Sequence, residues 1–251
     1  VNSILVILLY FIGIASFIVF KYIQINSILS GILAFLVLLA SSSIAGYVIN
    51  RRYLKSLDWD CDPEKFLQML KRQEKKSRKN ERRLNHLAIN QAAGYITLGK
   101  FKTAKEYLDG IDISYLSEKN GTLLTYSLNK ILCHYELGEM DKGEALYETN
   151  LVRLNTFDKG LKQAIDILVG ERYFYLKRYE ESYIHLSKML KVELNKRQYL
   201  CVLYRLAQMD IMNGDIDKAM KRLDKIIRLG NKLWIVNASK ELVESMQQRE
   251  Y

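Results

Sequence analysis

Proline is nearly absent from this sequence: one residue in 251, Pro63. Gly-Asn and Asp-Gly turn signals are also few, which excludes a fold of many short strands and leaves an all-α class as the expectation. Acidic residues are missing altogether from the first fifty positions, where Lys21 is the one charged side chain. Cysteine is sparse as well. Cys61, Cys133 and Cys201 lie far apart, form no C-x-x-C pair and are odd in number. That excludes a disulfide framework and points to ordinary reduced thiols in a reducing compartment. The three histidines, His86, His134 and His185, are solitary and roughly fifty residues apart, so no metal-ligand spacing exists. There is no Gly-rich phosphate loop and no G-x-S-x-G. No catalytic residue and no metal ligand is assigned, no cofactor is expected, and an enzyme is not the expectation.

What is present comes as two different materials joined near residue 51. Residues 3–20 are uncharged, and Lys21 follows, with a stem long enough to carry its ammonium to an interface. A second run, ILSGILAFLVLLASSSIAGYVI from Ile28 to Ile49, has no charge. Twenty-two residues at ~1.5 Å each give ~33 Å of helix, enough for a hydrocarbon core of ~30 Å. Two spans, about 2–23 and 28–49, are expected to form a transmembrane hairpin over residues 1–50. Gly31, Ala34, Ala40, Ser41–Ser43, Ala45 and Gly46 give the second span a small-residue face for close helix approach. A cleaved signal peptide is the rival; it requires a basic start and a small-residue cleavage site, and neither is there. The chain begins with Val, so either a few preceding residues are missing or an alternative start codon was read literally. Arg51, Arg52 and Lys55 follow the second span, and the positive-inside bias then places both termini in the cytoplasm. Richness in Ile, Lys, Asn and Tyr suggests AT-rich bacterial coding, hence a plasma membrane, multi-pass.

With Lys21 set aside, 37 Lys and Arg against 28 Asp and Glu leave residues 51–251 a formal charge of +9. At the junction, DWDCD from Asp58 has acids at alternate positions, but an EF-hand needs Gly sixth and Glu twelfth, where Pro63 and Met69 stand. The plainer account is a helix start, with Asp62 as cap and Pro63 at the first helical position. Residues 51–83 are expected to be a basic juxtamembrane linker and a first helix. Within it Lys71, Arg72, Lys75, Lys76, Arg78, Lys79, Arg82 and Arg83 make a basic stretch of net +6 over 71–83. A solvated helix face is the bland account. Contact with anionic lipid is the second. Nucleic acid ranks last, because no aromatic is interleaved to stack on a base.

Four later segments align: YITLGKFKTAKEYL from Tyr95, HYELGEMDKGEALY from His134, YFYLKRYEESYIHL from Tyr173 and DIMNGDIDKAMKRL from Asp210. Their starts are 39, 39 and 37 residues apart. Each reads as a helix closed by a turn at Gly99, Gly138, Lys177 or Gly214, then a second helix carrying a small residue, Ala104, Gly143, Ser182 or Ala219. Such pairs bury their apolar stripes by stacking on one another.

This pattern resembles the tetratricopeptide repeat, whose signature includes L-G-x-[YF]-x-x-A at this turn, here clearest at Leu98–Ala104. The repeat is longer than the usual ~34 residues and lacks the frequent closing proline. The resemblance implies a helical-repeat superhelix of four pairs over 84–230 with a capping helix over 231–251. It also implies a concave groove that takes a protein or peptide segment, making the chain an adaptor or scaffold. Carried over, the groove includes Asn90, Thr97, Tyr135, Glu136, Glu171, Tyr175, Tyr204 and Gln208. The Lys positions of the carboxylate-clamp subtype hold Ile89, Leu128, Ile167 and Tyr204, so a grip on a C-terminal carboxylate is not implied. The groove is expected to be apolar and rich in tyrosine.

Overall fold

With a single proline in the sequence few helix breaks are imposed by the backbone, and 80% of the structure is helical. The computed structural model describes residues 2–24, 26–77, 80–153 and 156–248, with the backbone alone for 2–7 and 45–50; among these there is no strand. The chain divides into two units, Val1–Leu54 and Lys55–Tyr251.

The first unit consists of α1 (Asn2–Tyr22) and most of α2 (Ser27–Asp58). Gln24 turns left-handed at φ 59° after α1, and the Asn26 side chain accepts the Ile28 amide at 2.9 Å. The two helices meet at Gly13, where a Cβ would come within 2.7 Å of Leu38. Between Ser27 and Ile44 of α2 the small residues buried are Ser30 and Ala34. Gly31 and Ser41 of the expected face are half-buried, Ala40, Ser42 and Ser43 are exposed, and the side chains of Ala45 and Gly46 lie outside the described residues. Most other apolar side chains point outward, among them Tyr10, Phe11, Ile14, Ile18, Phe35 and Leu36. The serine hydroxyls donate back into their own helix, Ser16 to Ile12 O and Ser41 to Val37 O, both at 2.7 Å. Ser27–Ile44 is long and apolar enough to cross a bilayer, with a mean hydropathy of 2.1; Leu8–Tyr22 is apolar but shorter. Helix α2 continues through Arg51, Arg52 and Lys55 to Asp58, because nothing there resists helix.

The second unit begins with α3 (Pro63–Ser77), whose cap is as expected: Asp62 accepts the Lys65 amide at 3.0 Å. Four pairs follow: α4 (Glu81–Thr97) with α5 (Phe101–Asp109), α6 (Thr122–Glu136) with α7 (Met140–Leu146), α8 (Lys159–Tyr175) with α9 (Tyr179–Met189), and α10 (Lys196–Met212) with α11 (Ile216–Leu229). A 3₁₀ turn, Ile113–Tyr115, lies between the first two pairs, and α7 runs into a π-helical segment, Tyr147–Leu151. Helix α12 (Trp234–Gln247) ends the unit. Asn80, Asp158 and Asn195 cap α4, α8 and α10, the last with Gln198 in a reciprocal capping box.

The four turns share one geometry. Gly99, Gly138, Lys177 and Gly214 have φ of 72°, 76°, 59° and 79°. In each, the next residue donates its amide five positions back: Lys100 to Tyr95 (2.9 Å), Glu139 to His134 (2.8 Å), Arg178 to Tyr173 (2.9 Å) and Asp215 to Asp210 (2.9 Å). This is a Schellman closure repeated four times. Lys177 adopts it despite its Cβ, so the chain bears ~1–2 kcal/mol of local strain there. The small residue beyond each turn is buried: Ala104, Ser182 and Ala219 at 0% exposure, and Gly143 against the Tyr135 ring. Ser182 uses its hydroxyl too, donating to Gly170 O at 2.8 Å.

Inner helices α4, α6, α8 and α10 pack on one another in sequence, and the apolar clusters lie between successive pairs. The unit's end also meets its beginning. Cys61 belongs to the same cluster as Leu200, Leu203, Leu233 and Ile235. The Lys232 amide donates to Cys61 O at 3.2 Å, Asn231 Nδ2 donates to Asp60 O at 2.9 Å, and Arg197 Nε to Asp58 at 2.9 Å. Trp234 lies edge-on to Phe101 (5.7 Å) and Tyr204 (5.3 Å), against the backbone of Gly99.

Candidate functional site

The C-terminal halves of α6, α8 and α10 bring Glu136, Glu171, Tyr175, Arg205 and Gln208 together across three successive pairs. Arg205 gathers them. Its Nε donates to Glu171 at 2.7 Å, one terminal nitrogen to Gln208 at 2.9 Å, and the other to the Tyr175 hydroxyl at 2.8 Å and to Glu136 at 3.3 Å. The guanidinium stacks 4.2 Å from the centre of the Phe174 ring. One side chain thus ties three consecutive pairs. Burial pushes the Glu171 carboxyl up from its ordinary value, against the pull of Arg205. Burial would lower Arg205, but Glu171, Tyr175 and Glu136 hold it above its ordinary value. Burial also raises the Tyr175 phenol.

A second tie lies beside the first. Tyr135 stacks on Tyr175 at 5.3 Å and donates to Glu144 at 2.5 Å. Glu144 receives Arg172 through Nε at 2.8 Å and a terminal nitrogen at 2.5 Å. The π-helical segment puts Tyr147 under that guanidinium, 4.2 Å from its ring centre. Burial would raise Glu144, but the hydrogen bonds from Arg172 and Tyr135 hold it below the usual carboxylate value.

Of the eight expected groove residues, the structure brings Tyr135, Glu136, Glu171, Tyr175 and Gln208 into this network, and Tyr204 onto Trp234. Thr97 and Asn90, on α4, stand apart from it. Thr97 is buried and donates to Gly94 O at 2.8 Å; Asn90 is half-buried. The residues expected to line an apolar, tyrosine-rich groove differ from that expectation in two respects. Several of them join an ion network, and Tyr135 (1% exposed), Tyr204 (6%), Thr97 (5%) and Glu171 (7%) are buried. Asn90, Glu136, Tyr175 and Gln208 retain partial exposure. The physical reason is that the tyrosines satisfy each other and the buried charges; a buried carboxylate without such partners is too costly.

The first position of each turn motif shows how one site is satisfied differently in each repeat. Tyr95 stacks on Tyr107 at 5.2 Å, Tyr173 lies edge-on to His185 at 6.3 Å, and Asp210 pairs with Arg222 at 2.8 Å, each across twelve residues. His134 instead meets Glu139 at 2.6 Å. Asp210 is fully buried and also accepts from the Tyr183 hydroxyl at 3.1 Å.

Among the basic residues, Lys71, Arg72, Lys75, Lys76, Arg82 and Arg83 are exposed on α3 and the first turn of α4. Arg78 and Lys79 lie outside the described residues. The three thiols are free; Cys61 and Cys133 are buried and Cys201 half-buried. Burial pushes Cys133 up to about 12 and Cys201 to about 11, which leaves both unreactive at neutral pH. Among the described residues no three His, Cys, Asp or Glu side chains cluster to hold a metal. No family model matches the chain, and neither curated proteins nor solved structures include one with significant similarity to it.

Proposed function

We propose that this chain is a membrane-anchored adaptor: α1 and α2 cross the membrane as a hairpin, and a tetratricopeptide-like superhelix recruits a protein partner on the cytoplasmic side. The observation that carries this is the joining of two exposed apolar helices to four helix pairs closed by one repeated turn. Outward-facing Phe, Ile and Leu side chains on α1 and α2 suit a lipid surround, and the serine back-bonds suit a medium without water. The cations Arg51, Arg52 and Lys55 after the second span favour both termini in the cytoplasm, with the bacterial plasma membrane as the address.

The partner, a protein or peptide segment, meets the accessible rim of the inner helices at Asn90, Glu136, Tyr175 and Gln208. The buried residues beneath hold the shape of that rim. No catalytic step is assigned and no cofactor is required.

Two measurements test the reading. Reporter fusions at both ends should show two cytoplasmic termini, and alkaline extraction should leave the protein with the membrane; a soluble protein or a terminus outside would overturn the anchorage. Crosslinked membranes, solubilised and captured through the full chain, should yield a specific protein. It should be lost with Asn90→Ala and Gln208→Ala together while the circular dichroism is unchanged. Recovery unaffected by that variant would overturn the rim as the binding surface.

A further inference from the structure

We propose that the cationic face of α3, with the first turn of α4, docks on anionic lipid headgroups at the membrane surface. This rests on the anchorage proposed above. Helix α3 is sharply two-faced. Pro63, Phe66, Leu67, Leu70 and Ser77 are buried, while Lys71, Arg72, Lys75 and Lys76 are exposed. At ~100° per residue the four cations fall within an arc of ~140° opposite the buried side.

None of these cations, nor Arg82 or Arg83, has an ion pair among the described residues, whereas several cations that reach a neighbouring helix find one: Lys130 with Asp109, Arg172 with Glu144, Arg205 with Glu171 and Arg222 with Asp210. Glu74, the acid within the stretch on α3, accepts Gln91 Nε2 of α4 at 2.9 Å.

Arg82 and Arg83 add a second observation. They occupy the first turn of α4, the positive end of its dipole, where cations are unfavourable and an anion is welcome. Six exposed cations without an ion pair among the described residues, with Glu81 the exposed acid beside them, make a surface complementary to a sheet of negative charge. In sequence the face begins 27 residues after Ile44, the end of the apolar segment of α2, so a tethered domain meets the bilayer surface at high effective concentration. Each basic residue near an anionic surface shifts the bound-to-free ratio about five-fold. Single-stranded nucleic acid fits less well, because residues 71–83 offer no aromatic for base stacking.

The test uses the full chain in nanodiscs of phosphatidylcholine alone or with about one third phosphatidylglycerol. Incorporation is checked first by size-exclusion chromatography. Acylation rates of individual lysines are then read by mass spectrometry at low and high salt, with exposed Lys221 and Lys240 as internal references. Lys71, Lys75 and Lys76 should be modified about five-fold or more slowly in anionic discs at low salt and regain the phosphatidylcholine rate at high salt; the references should not change. Equal rates in both discs overturn the proposal, as does slowing that requires added single-stranded RNA. A chain that fails to incorporate refutes the anchorage alone. The same discs are then added from outside, and lysine protection decides the lipid face separately.

Discussion

Removing the guanidinium of Arg205 tests the account of the inner network. Arg205→Met leaves a side chain of similar reach but strands the Glu171 carboxylate, whose side chain is 10% exposed, and removes a partner of Glu136. Breaking a buried pair on one side costs about 3–5 kcal/mol. For a unit of this size each kcal/mol lowers the melting temperature by about 2–4 °C, giving a fall of roughly 6–20 °C. Full-length protein in detergent, melted by far-UV circular dichroism, reads the shift. The sign of the pH dependence is a second check. Glu171 is already raised above 4.5 by burial, and losing Arg205 raises it further. A carboxyl raised in the folded state stabilises below the unfolded value and loses that contribution as pH climbs through the folded one. The variant should therefore recover part of its stability on acidification toward pH 4.5. Adding Glu171→Leu should restore the melt to within about 1–2 kcal/mol of the parent, since a well-packed apolar replacement of both partners is nearly neutral. A single variant that melts with the parent, or a double variant no better than the single, would refute the reasoning.

Three further outcomes follow from local geometry. Lys177→Gly should raise stability by about 1 kcal/mol through release of the left-handed strain, and Gly138→Ala should lower it by as much, since a Cβ there meets nothing within 4 Å and only the backbone objects; denaturant midpoints compare the two. Glu144 is held below 4.5, so its contribution is complete above that value and is lost as pH falls below it. A Glu144→Gln variant should show a flatter acid limb in melting temperature against pH. Trp234→Ala should cost about 3 kcal/mol and raise hydrogen exchange at the turn from Leu98 to Lys100, where Trp234 closes the end of the unit on its beginning.

Legibility in the sequence tracked how local the cause was. The cap at Asp62 and Pro63 and the positions of the four turns depend on residues within five of one another, and the sequence carried them. Even Lys177, with Asn213 one of the two weakest matches, takes the left-handed backbone of the glycines at φ 59°. The eight residues expected to line a groove illustrate the opposite case. They could be named from the alignment, yet the network that buries Glu171 could not, because it depends on Arg205 reaching across 69 residues to Glu136. Arg172 with Glu144 gave no signal either; a single Arg and a single Glu 28 residues apart are indistinguishable from surface charge.

Composition and periodicity alone thus determined an all-helical chain, an apolar beginning and a fourfold repeated turn, since each follows from backbone hydrogen bonding and the spacing of apolar side chains. Tertiary structure decided which of the repeat's polar residues face one another. It also decided that Trp234 and Cys61 seal the two ends of the unit together, because burial is a property of the whole stack and of no segment within it.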